Sequence, residues 1–423
     1  MRKILFLIIF TVVIVVFAFM AATRDWQAPA ITMAQSEYVG AEMVVNVSDN
    51  QALDEACYTL DGQADARACT DMGGAYSGEL IIDLSSLEDG PHEVCVTASD
   101  VNLFAANRSS QCRTYTLDTV PPRGAVESAT RYMQRGSSAA VYVTTSEAET
   151  NLRVIAGRRE FPFISNAAGT RHFAVFAHPH DVEMEDFKPI VEIIDRAGNT
   201  RRLPIGTVTK DRSFNQDTLN VPASFIEQKS LEMLNQEGSG KEAFLQMNRD
   251  LRAESRAEIS AVTSAFEAGP PVWEGPFYRN AGAPKAQFAD YRTYLLEGEV
   301  IDHQTHYGLD IAGLAQMPIK AANRGTVRYA DYIGIYGNCV IIDHGGHVST
   351  LYAHLSQIDV GQGEVVEKQQ VIGRSGKSGM AGGDHLHYAT YVDDVPVEPT
   401  AWFDPAWLQT RINDIYADFA AAE

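Results

Sequence analysis

The chain has 423 residues, of which 45% are hydrophobic and 21% are charged, a composition typical of soluble globular domains. Its length allows about three domains of roughly 100–200 residues each. The formal net charge of -21 argues against nucleic acid as a main partner, because a surface that follows phosphates needs an excess of Lys and Arg. The same charge gives no general attraction to anionic lipids, although a local basic patch is compatible with it.

The N-terminal segment predicts export across a membrane. Arg2 and Lys3 precede an apolar run, residues 4–22, which at about 19 residues is long enough to cross a bilayer as a helix. A cleaved signal peptide is the alternative, but the end of the run lacks an A-x-A-like cleavage site. The pattern therefore favours an uncleaved anchor over residues 1–23, with the N-terminus in the cytoplasm.

Cysteine usage is consistent with export. Cys57, Cys69, Cys95 and Cys112 lie close together in the N-terminal region. In an oxidising compartment such a group predicts two disulfides, and the sequence leaves all three connectivities open. Cys339 stands alone in a strand-like run and is predicted to be a buried thiol.

Short strand-like runs separated by turn residues predict two β-sandwich modules, residues 28–120 and 121–212. The double proline at 121–122 marks the boundary between them. Both modules resemble bacterial immunoglobulin-like modules, and residues 195–199, Asp-Arg-Ala-Gly-Asn, are similar to a turn common near their last strand. The resemblance implies a spacer or adhesive role, which fold alone does not establish.

Residues 213–269 change to a helical pattern. Residues 224–227, Ser-Phe-Ile-Glu, fit a capping box at a helix start, and Gly238 and Gly240 interrupt the pattern before a second helical stretch. A helical hairpin packed on a neighbouring domain is the favoured interpretation. A regulatory arm that covers a site on that domain is the alternative.

Histidine is concentrated near the C-terminus, with seven of the 11 between His303 and His387. The first pattern, H-x-G-x-D, contains His306 and Asp310. Their imidazole and carboxylate can converge on one cation if the backbone turns between them, and Gly308 permits such a turn.

The second pattern, H-L-H, lies at the start of a strand-like run. Positions i and i+2 of a strand share a face, so His385 and His387 stand side by side while Leu386 points into the core. One of the two imidazoles can bind a metal while the other faces a substrate.

The third pattern is an alternating run around His354. Strict alternation predicts Tyr352 and His354 on one face of a strand, with Leu351 and Ala353 on the other. A histidine on the polar face of a strand is available for chemistry.

Together these residues offer two imidazoles and one carboxylate to a metal, leaving one position for water. Three protein ligands and a water are the catalytic zinc arrangement, whereas a closed four-ligand site is structural. The chain has no H-E-x-x-H pattern, so no glutamate base on a helix is expected. The two remaining histidines fit the role of base.

Residues 285–400 resemble the LytM/lysostaphin type of peptidoglycan endopeptidase, peptidase family M23. H-x-G-x-D, Y-x-H-L and G-x-H-L-H follow one another in the order of that family. The family's usual Phe-Glu after H-L-H is replaced by Tyr388-Ala389, and its F-G-x-R start is present only as Phe-Ala-Asp-Tyr-Arg at 288–292. The resemblance implies a peptidase domain at 270–410, built as a groove on a mainly antiparallel sheet.

The resemblance also implies the role of each site residue. One Zn²⁺ would be held by His306, Asp310 and His387. His354 and His385 would position and deprotonate the water and stabilise the tetrahedral intermediate.

His344 matches a structural position of the family. His303 is expected in a loop. His172, His178 and His180 are expected in a surface loop, without a metal.

The implied function is a zinc metallo-endopeptidase that cuts peptide cross-links of bacterial peptidoglycan, with D,D cross-links expected. Its partners would be peptidoglycan stem peptides, the membrane through the N-terminal segment, and an envelope regulatory protein; it would lie on the periplasmic side of the inner membrane. The alternative is a non-hydrolytic protein that activates a separate amidase, but such relatives lack part of the ligand set. A third interpretation is that the N-terminal modules make the chain chiefly an adhesin or scaffold.

Overall fold

The computed structural model describes residues 26–63, 67–101, 106–148, 150–238 and 240–421. The predicted anchor, residues 1–23, lies outside the described residues. Among the helices that are described, none is long and apolar enough to span a membrane. The chain divides into two compact units, Met1–Pro122 with Ile194–Thr200, and Arg123–Ile193 with Arg201–Glu423.

The first unit is a two-sheet β module. Its strands are β1 (Ala30–Thr32), β2 (Tyr38–Val39), β3 (Glu42–Ser48), β4 (Leu53–Leu60), β5 (Ala68–Asp71), β6 (Ser77–Asp83), β7 (Gly90–Asp100) and β8 (Arg108–Leu117). One sheet has the order β1-β3-β6 and the other β2-β8-β7-β4-β5. In β3, Val45 and Val47 are buried while Val44 is exposed, because alternate side chains face opposite sides of a strand.

Two disulfides join neighbouring strands of the larger sheet. Cys57 of β4 is bonded to Cys69 of β5, and Cys95 of β7 is bonded to Cys112 of β8. Each pair lies directly opposite in the strand register. The predicted pair of disulfides is therefore present, with a connectivity that the sequence left open. Cys339 is buried and free, as predicted.

The second unit begins with another two-sheet β module. Its strands are β9 (Gly124–Ala129), β10 (Tyr132–Gln134), β11 (Ser138–Thr145), β12 (Asn151–Ala156), β13 (Arg159–Pro162), β14 (Ile164–Ser165), β15 (Arg171–Ala177), β16 (Ile190–Ile194), β17 (Thr200–Pro204) and β18 (Val208–Lys210). The sheets have the orders β14-β15-β11-β9 and β13-β12-β16-β17, and β10 pairs with β18. Apolar side chains of both sheets form one core with buried side chains from the C-terminal part of the chain, residues 273–419.

The predicted surface loop is wrong for two of the three histidines, whereas the third, His180, lies in a turn and is half-buried. His172 lies inside β15 and His178 directly follows it, and both are almost fully buried. His172 bonds to Thr145 and Ser165, whereas His178 stacks on Phe187. Burial disfavours the imidazolium form and lowers the pKa of His172 and of His178 to about 4, so these are neutral core histidines.

A strand and a helical arm precede the C-terminal domain, and the helical arm is defined as residues 223–264. The elements are β19 (Gln216–Asn220), α1 (Ala223–Leu234), α2 (Lys241–Leu245), a π-helical turn (Gln246–Leu251) and α3 (Arg252–Ser264). The predicted capping box is wrong, because Pro222 occupies the N-cap and Ser224 already lies inside the first turn of α1. The break around Gly238 and Gly240 is present as predicted.

The C-terminal domain is built on an antiparallel sheet. Its strands are β20 (Ala283–Ala286), β21 (Tyr291–Leu296), β22 (Glu299–Thr305), β23 (Leu309–Ala312), β24 (Pro318–Lys320), β25 (Gly325–Ile333), β26 (Gly337–Asp343), β27 (Val348–Leu355), β28 (Gln357–Ile358), β29 (Val365–Val366), β30 (Val371–Arg374), β31 (Leu386–Val392) and β32 (Val395–Val397). The main sheet has the order β20-β23-β31-β27-β26-β25-β29, with β32 on β31. Smaller sheets have the orders β24-β30-β28 and β19-β21-β22.

Short helices complete this domain. They are a 3₁₀ turn (Gly334–Tyr336), α4 (Pro399–Phe403), α5 (Pro405–Leu408), a π-helical turn (Gln409–Asn413) and α6 (Asp414–Ala421). His303 lies in β22 and not in the predicted loop, because β22 pairs along its length with β21. The mainly β architecture predicted from the sequence is confirmed, while the immunoglobulin-like assignment and the exact domain boundaries stay predictions.

The disulfide between Cys95 and Cys112 is expected to stabilise the first unit. It closes a loop with a sequence separation of 17, for which loop-closure entropy gives about 3 kcal/mol. Replacing both cysteines by serine should lower the free energy of unfolding of this unit by that amount. Hydrogen exchange of the backbone amides of β7 and β8 at increasing urea concentrations would measure it, and unchanged protection would contradict the expectation.

Candidate metal centre

Three side chains converge at the edge where β23 meets β31. His306 Nε2 lies 3.0 Å from Asp310 Oδ1 and 2.9 Å from His387 Nδ1, and His387 Nδ1 lies 2.9 Å from Asp310 Oδ1. Asp310 and His387 are direct partners in the register of the two strands. All three residues are buried. The sheet therefore brings together the three residues that the sequence singled out as metal ligands.

The donor set fits a cation. The Nδ1 of His306 lies 2.9 Å from the carbonyl oxygen of Gln287, which can only accept, so Nδ1 carries the proton and Nε2 presents a lone pair. That lone pair faces a carboxylate oxygen and a second imidazole nitrogen. Three such atoms within 3.0 Å of one another repel unless a positive charge lies between them, and two imidazoles with one carboxylate can hold a divalent metal.

Arg292 binds the second carboxylate oxygen of Asp310. One guanidinium nitrogen of Arg292 donates to Asp310 Oδ2 at 3.0 Å, which leaves Oδ1 for the shared point. The pKa of Asp310 lies well below its usual value although burial opposes this, because the charge and hydrogen bonds of the neighbouring imidazoles favour the carboxylate. Asp310 is therefore an anionic ligand at neutral pH.

The two further histidines lie beside this group. His354 and His385 have ring centroids 4.8 Å apart, and His385 Nε2 lies 3.6 Å from Asp310 Oδ1. Each is oriented through Nδ1 by a backbone carbonyl, Ser378 for His354 and Gly383 for His385. In both rings the neutral form therefore carries its proton on Nδ1 and leaves Nε2 as an acceptor.

The predicted alternation around His354 is wrong. Tyr352 points into the core, where its hydroxyl accepts from the backbone nitrogen of Ala322, but the His354 ring lies 5.8 Å from that of His387 on the opposite face. The register of β27 on β26 shifts here, so that Cys339 opposes two residues, Ala353 and His354. His354 has φ +61°, and this bulge turns its side chain towards the metal centre.

Burial and neighbouring charges shift the pKa values of His354 and His385 in opposite directions. Burial, reinforced by the two neighbouring imidazoles, holds the pKa of His354 well below its usual value, so this ring is neutral. Burial also acts on His385, but the hydrogen bond and negative charge of Asp310 outweigh it and raise the pKa of His385. A neutral acceptor thus stands beside a ring that is protonated more easily.

His344 takes no part in the site. It is fully buried, and its two ring nitrogens bond to the carbonyl oxygen of Arg324 and to the hydroxyl of Thr350. Its position matches the structural role that the sequence suggested.

The site opens into a cavity of about 690 Å³. One wall is the main sheet of the C-terminal domain with its histidines. The other wall comes from outside that domain, from β19 and the helical arm, and includes Leu219, Phe225 and Arg252. The helical hairpin predicted to pack on a neighbouring domain therefore also lines the space next to the metal centre.

Sequence reasoning missed two arginines at this site. Arg292 was noted only as part of an imperfect family motif at 288–292, and the signal that could have identified it is that motif. Arg252 carried no signal, since it lies in a helical stretch of ordinary composition far from the histidine patterns.

Gly308 is needed for space rather than for an unusual backbone conformation. A Cβ at this position would lie 2.5 Å from the carbonyl oxygen of Tyr388 and 2.7 Å from the His387 ring. Gly308→Ala should displace His387 and weaken metal binding about 10- to 100-fold, as changes around a metal ligand do. Competition titration against a chelating dye would measure the affinity.

The matched control is Gly361→Ala, because a Cβ at Gly361 meets nothing within 4 Å. This variant should bind metal like the parent chain. Equal affinities for the two variants would show that Gly308 is not required for the position of His387.

Comparison with known proteins places the site in a family. Residues 304–399 match the profile of Peptidase family M23. The DD-carboxypeptidase/endopeptidase Mpg of Neisseria meningitidis is 40% identical over 96 residues, which cover 23% of this chain and 22% of that protein. The peptidoglycan DD-endopeptidase ShyA of Vibrio cholerae is 39% identical over 92 residues, covering 22% and 21%.

The similarity is confined to one domain, so the chain spans about a fifth of the length of these curated relatives. A solved M23 peptidase structure from Pseudomonas aeruginosa is 22% identical, covers 64% of this chain and 94% of that one, and has a TM-score of 0.40. The matched residues contain all five side chains described above. Residues 304–399 therefore form a domain of peptidase family M23.

Proposed function

We propose that the chain is a zinc metallo-endopeptidase that hydrolyses peptide cross-links of bacterial peptidoglycan. The observation that carries the proposal is the convergence of His306, Asp310 and His387 on one point at the end of an open cavity. His354 and His385 lie next to that point with one acceptor nitrogen each. This is a ligand set with an adjacent base, as a hydrolytic metal site requires.

Two nitrogens and one carboxylate oxygen suit zinc, and we propose a single ion. When bound there, zinc supplies a Lewis acid for the scissile carbonyl and lowers the pKa of a water to about 7. His306, Asp310 and His387 would hold it. Arg292 fixes Asp310 in the orientation that leaves Oδ1 for the ion.

The histidine pair would move the protons. His354 is neutral and presents Nε2, so it can accept the proton of the attacking water and then give it to the nitrogen of the departing amine. His385 is protonated more easily and lies close enough to the centre to donate a hydrogen bond to the developing oxyanion. Because both rings are fixed through Nδ1 by backbone carbonyls, neither has to reorient during the reaction.

The substrate and location rest on two further observations. Relatives of the matched domain are named peptidoglycan DD-endopeptidases, which supports peptidoglycan stem peptides and their D,D cross-links as substrate. The two disulfides support an oxidising compartment. We include in the proposal a periplasmic location, attachment to the inner membrane through residues 1–23, and an envelope protein as regulatory partner.

A non-hydrolytic role as amidase activator has less support, because the ligands and both further histidines are in place. Digesting purified sacculi with the full chain and identifying the released fragments by mass spectrometry would test the proposal. Cleavage at D,D cross-links is the expected result. Intact sacculi in the presence of a zinc-loaded chain would overturn it.

The proposal assigns different roles to His354 and Asp310, and single substitutions should separate them. His354→Ala should retain about one zinc per chain yet lose roughly 10²- to 10⁴-fold in kcat, the range for removal of a general base. Asp310→Ala should lose the metal itself. Zinc content by atomic absorption and hydrolysis rates on the same preparations would measure both effects.

His303→Ala is the matched control, since this histidine lies on β22 outside the converging group. It should keep both zinc and activity. Loss of zinc from His354→Ala, or full activity of Asp310→Ala, would contradict the assigned roles.

A further inference from the structure

The helical arm is fixed against the peptidase domain by specific polar contacts. The buried ammonium of Lys229 donates to the carbonyl oxygen of Lys377 at 2.9 Å, and the hydroxyl of Ser255 accepts from the backbone nitrogen of Ile335 at 3.1 Å. Gly334 lies so close to Ser255 that a Cβ there would collide with it. The arm therefore forms one wall of the cavity beside the metal centre.

Arg252 is the cation that this wall presents. It is the first residue of α3, directly after the π-helical turn Gln246–Leu251, and its side chain lines the same cavity as the metal ligands. Such π-helical turns are common at functional sites, because the extra residue redirects the side chains that follow. Here the turn contains Asn248, which fixes the guanidinium.

An amide, not a carboxylate, orients the guanidinium. Arg252 donates through two of its nitrogens to Asn248 Oδ1, at 3.2 and 2.6 Å, and a third contact of 3.9 Å reaches the sulfur of Met380. Asn248 is completely buried, and its own side-chain nitrogen donates to Asp302 at 2.7 Å. The chain Asp302–Asn248–Arg252 holds the cation rigidly without neutralising it.

Within the described parts of the chain, no carboxylate forms an ion pair with Arg252. Burial lowers the pKa of Arg252, and repulsion from nearby arginines lowers it further, while nearby tyrosines act in the opposite direction. A lowered pKa is expected for a buried cation without a counter-charge. Lys285 and Asp217 also line the cavity, whereas Arg292 is already engaged by Asp310. The lining therefore has one more Lys or Arg than Asp, in a chain of net charge -21.

We propose that Arg252 binds a free carboxylate of the peptide substrate, next to the amide that is cut. This inference rests on the proposed peptidoglycan substrate, whose stem peptides carry free carboxylates on the residues around their cross-links. A guanidinium held on one edge by Asn248 keeps its other donors for a planar, bidentate contact with a carboxylate. Such a contact would select the substrate and place its scissile amide in the cavity.

Binding to the full chain tests the inference independently of hydrolysis. The probes are an N-acetylated peptide that ends in D-alanyl-D-alanine with a free carboxylate, and the same peptide as its C-terminal carboxamide. The protein is treated with a chelator, so that neither turnover nor a metal–carboxylate contact contributes to binding. Calorimetry should show about 10- to 100-fold tighter binding of the acid, the range for a hydrogen-bonded charge pair.

Arg252→Gln should reduce that preference to less than about threefold, whereas Arg252→Lys should keep part of it because the charge remains. The matched control is Lys241→Gln, which removes one positive charge from an exposed position of the same arm outside the cavity lining. It should keep the full preference. Thermal unfolding of each variant checks that the arm is still folded.

Two results would overturn the inference. One is equal binding of acid and amide by the unsubstituted chain, a comparison that does not depend on any variant folding. The other is a folded Arg252→Gln chain that still prefers the acid. Digestion of sacculi reports separately on the proposed function. Intact sacculi together with a preserved preference for the acid would refute the peptidase assignment alone. Cleaved sacculi without that preference would refute the role of Arg252 alone.

Discussion

The structure of the metal centre depends on one electrostatic constraint. Three electron-pair donors, on His306, Asp310 and His387, meet at mutual distances of 2.9–3.0 Å inside the protein. Buried lone pairs at that separation repel one another, and a shared cation removes this repulsion. The surrounding contacts orient these donors: the Gln287 carbonyl sets the His306 tautomer, and Arg292 fixes the orientation of the Asp310 carboxylate.

The antiparallel sheet brings residues that are far apart in the sequence into this arrangement. Strands β23, β31 and β27 are neighbours, so Asp310 lies opposite His387 and His387 opposite Ala353. A regular β27 would have directed His354 into the core with Tyr352. The bulge opposite Cys339 instead adds His354 to the metal face, which places a base beside the ligands at the cost of an unusual backbone conformation.

Much of this site could be predicted from the sequence, because spacing along a strand determines which side chains share a face. The pattern H-L-H was enough to separate His385 and His387 from Leu386, which is buried in the core. The position of His354 could not be derived in this way, since a bulge depends on how two strands pair. Burial of His178 and the role of Arg252 depend on contacts between elements far apart in sequence, which local patterns do not contain.

Zinc K-edge X-ray absorption on the purified full chain tests the central claim most directly. The account predicts a first shell of nitrogen and oxygen at about 2.0–2.1 Å, with two imidazoles and no sulfur. Loss of the imidazole signal in His387→Ala should accompany loss of bound metal. A sulfur shell near 2.3 Å, which would indicate a cysteine ligand, or zinc bound equally well after removal of His387, would contradict it.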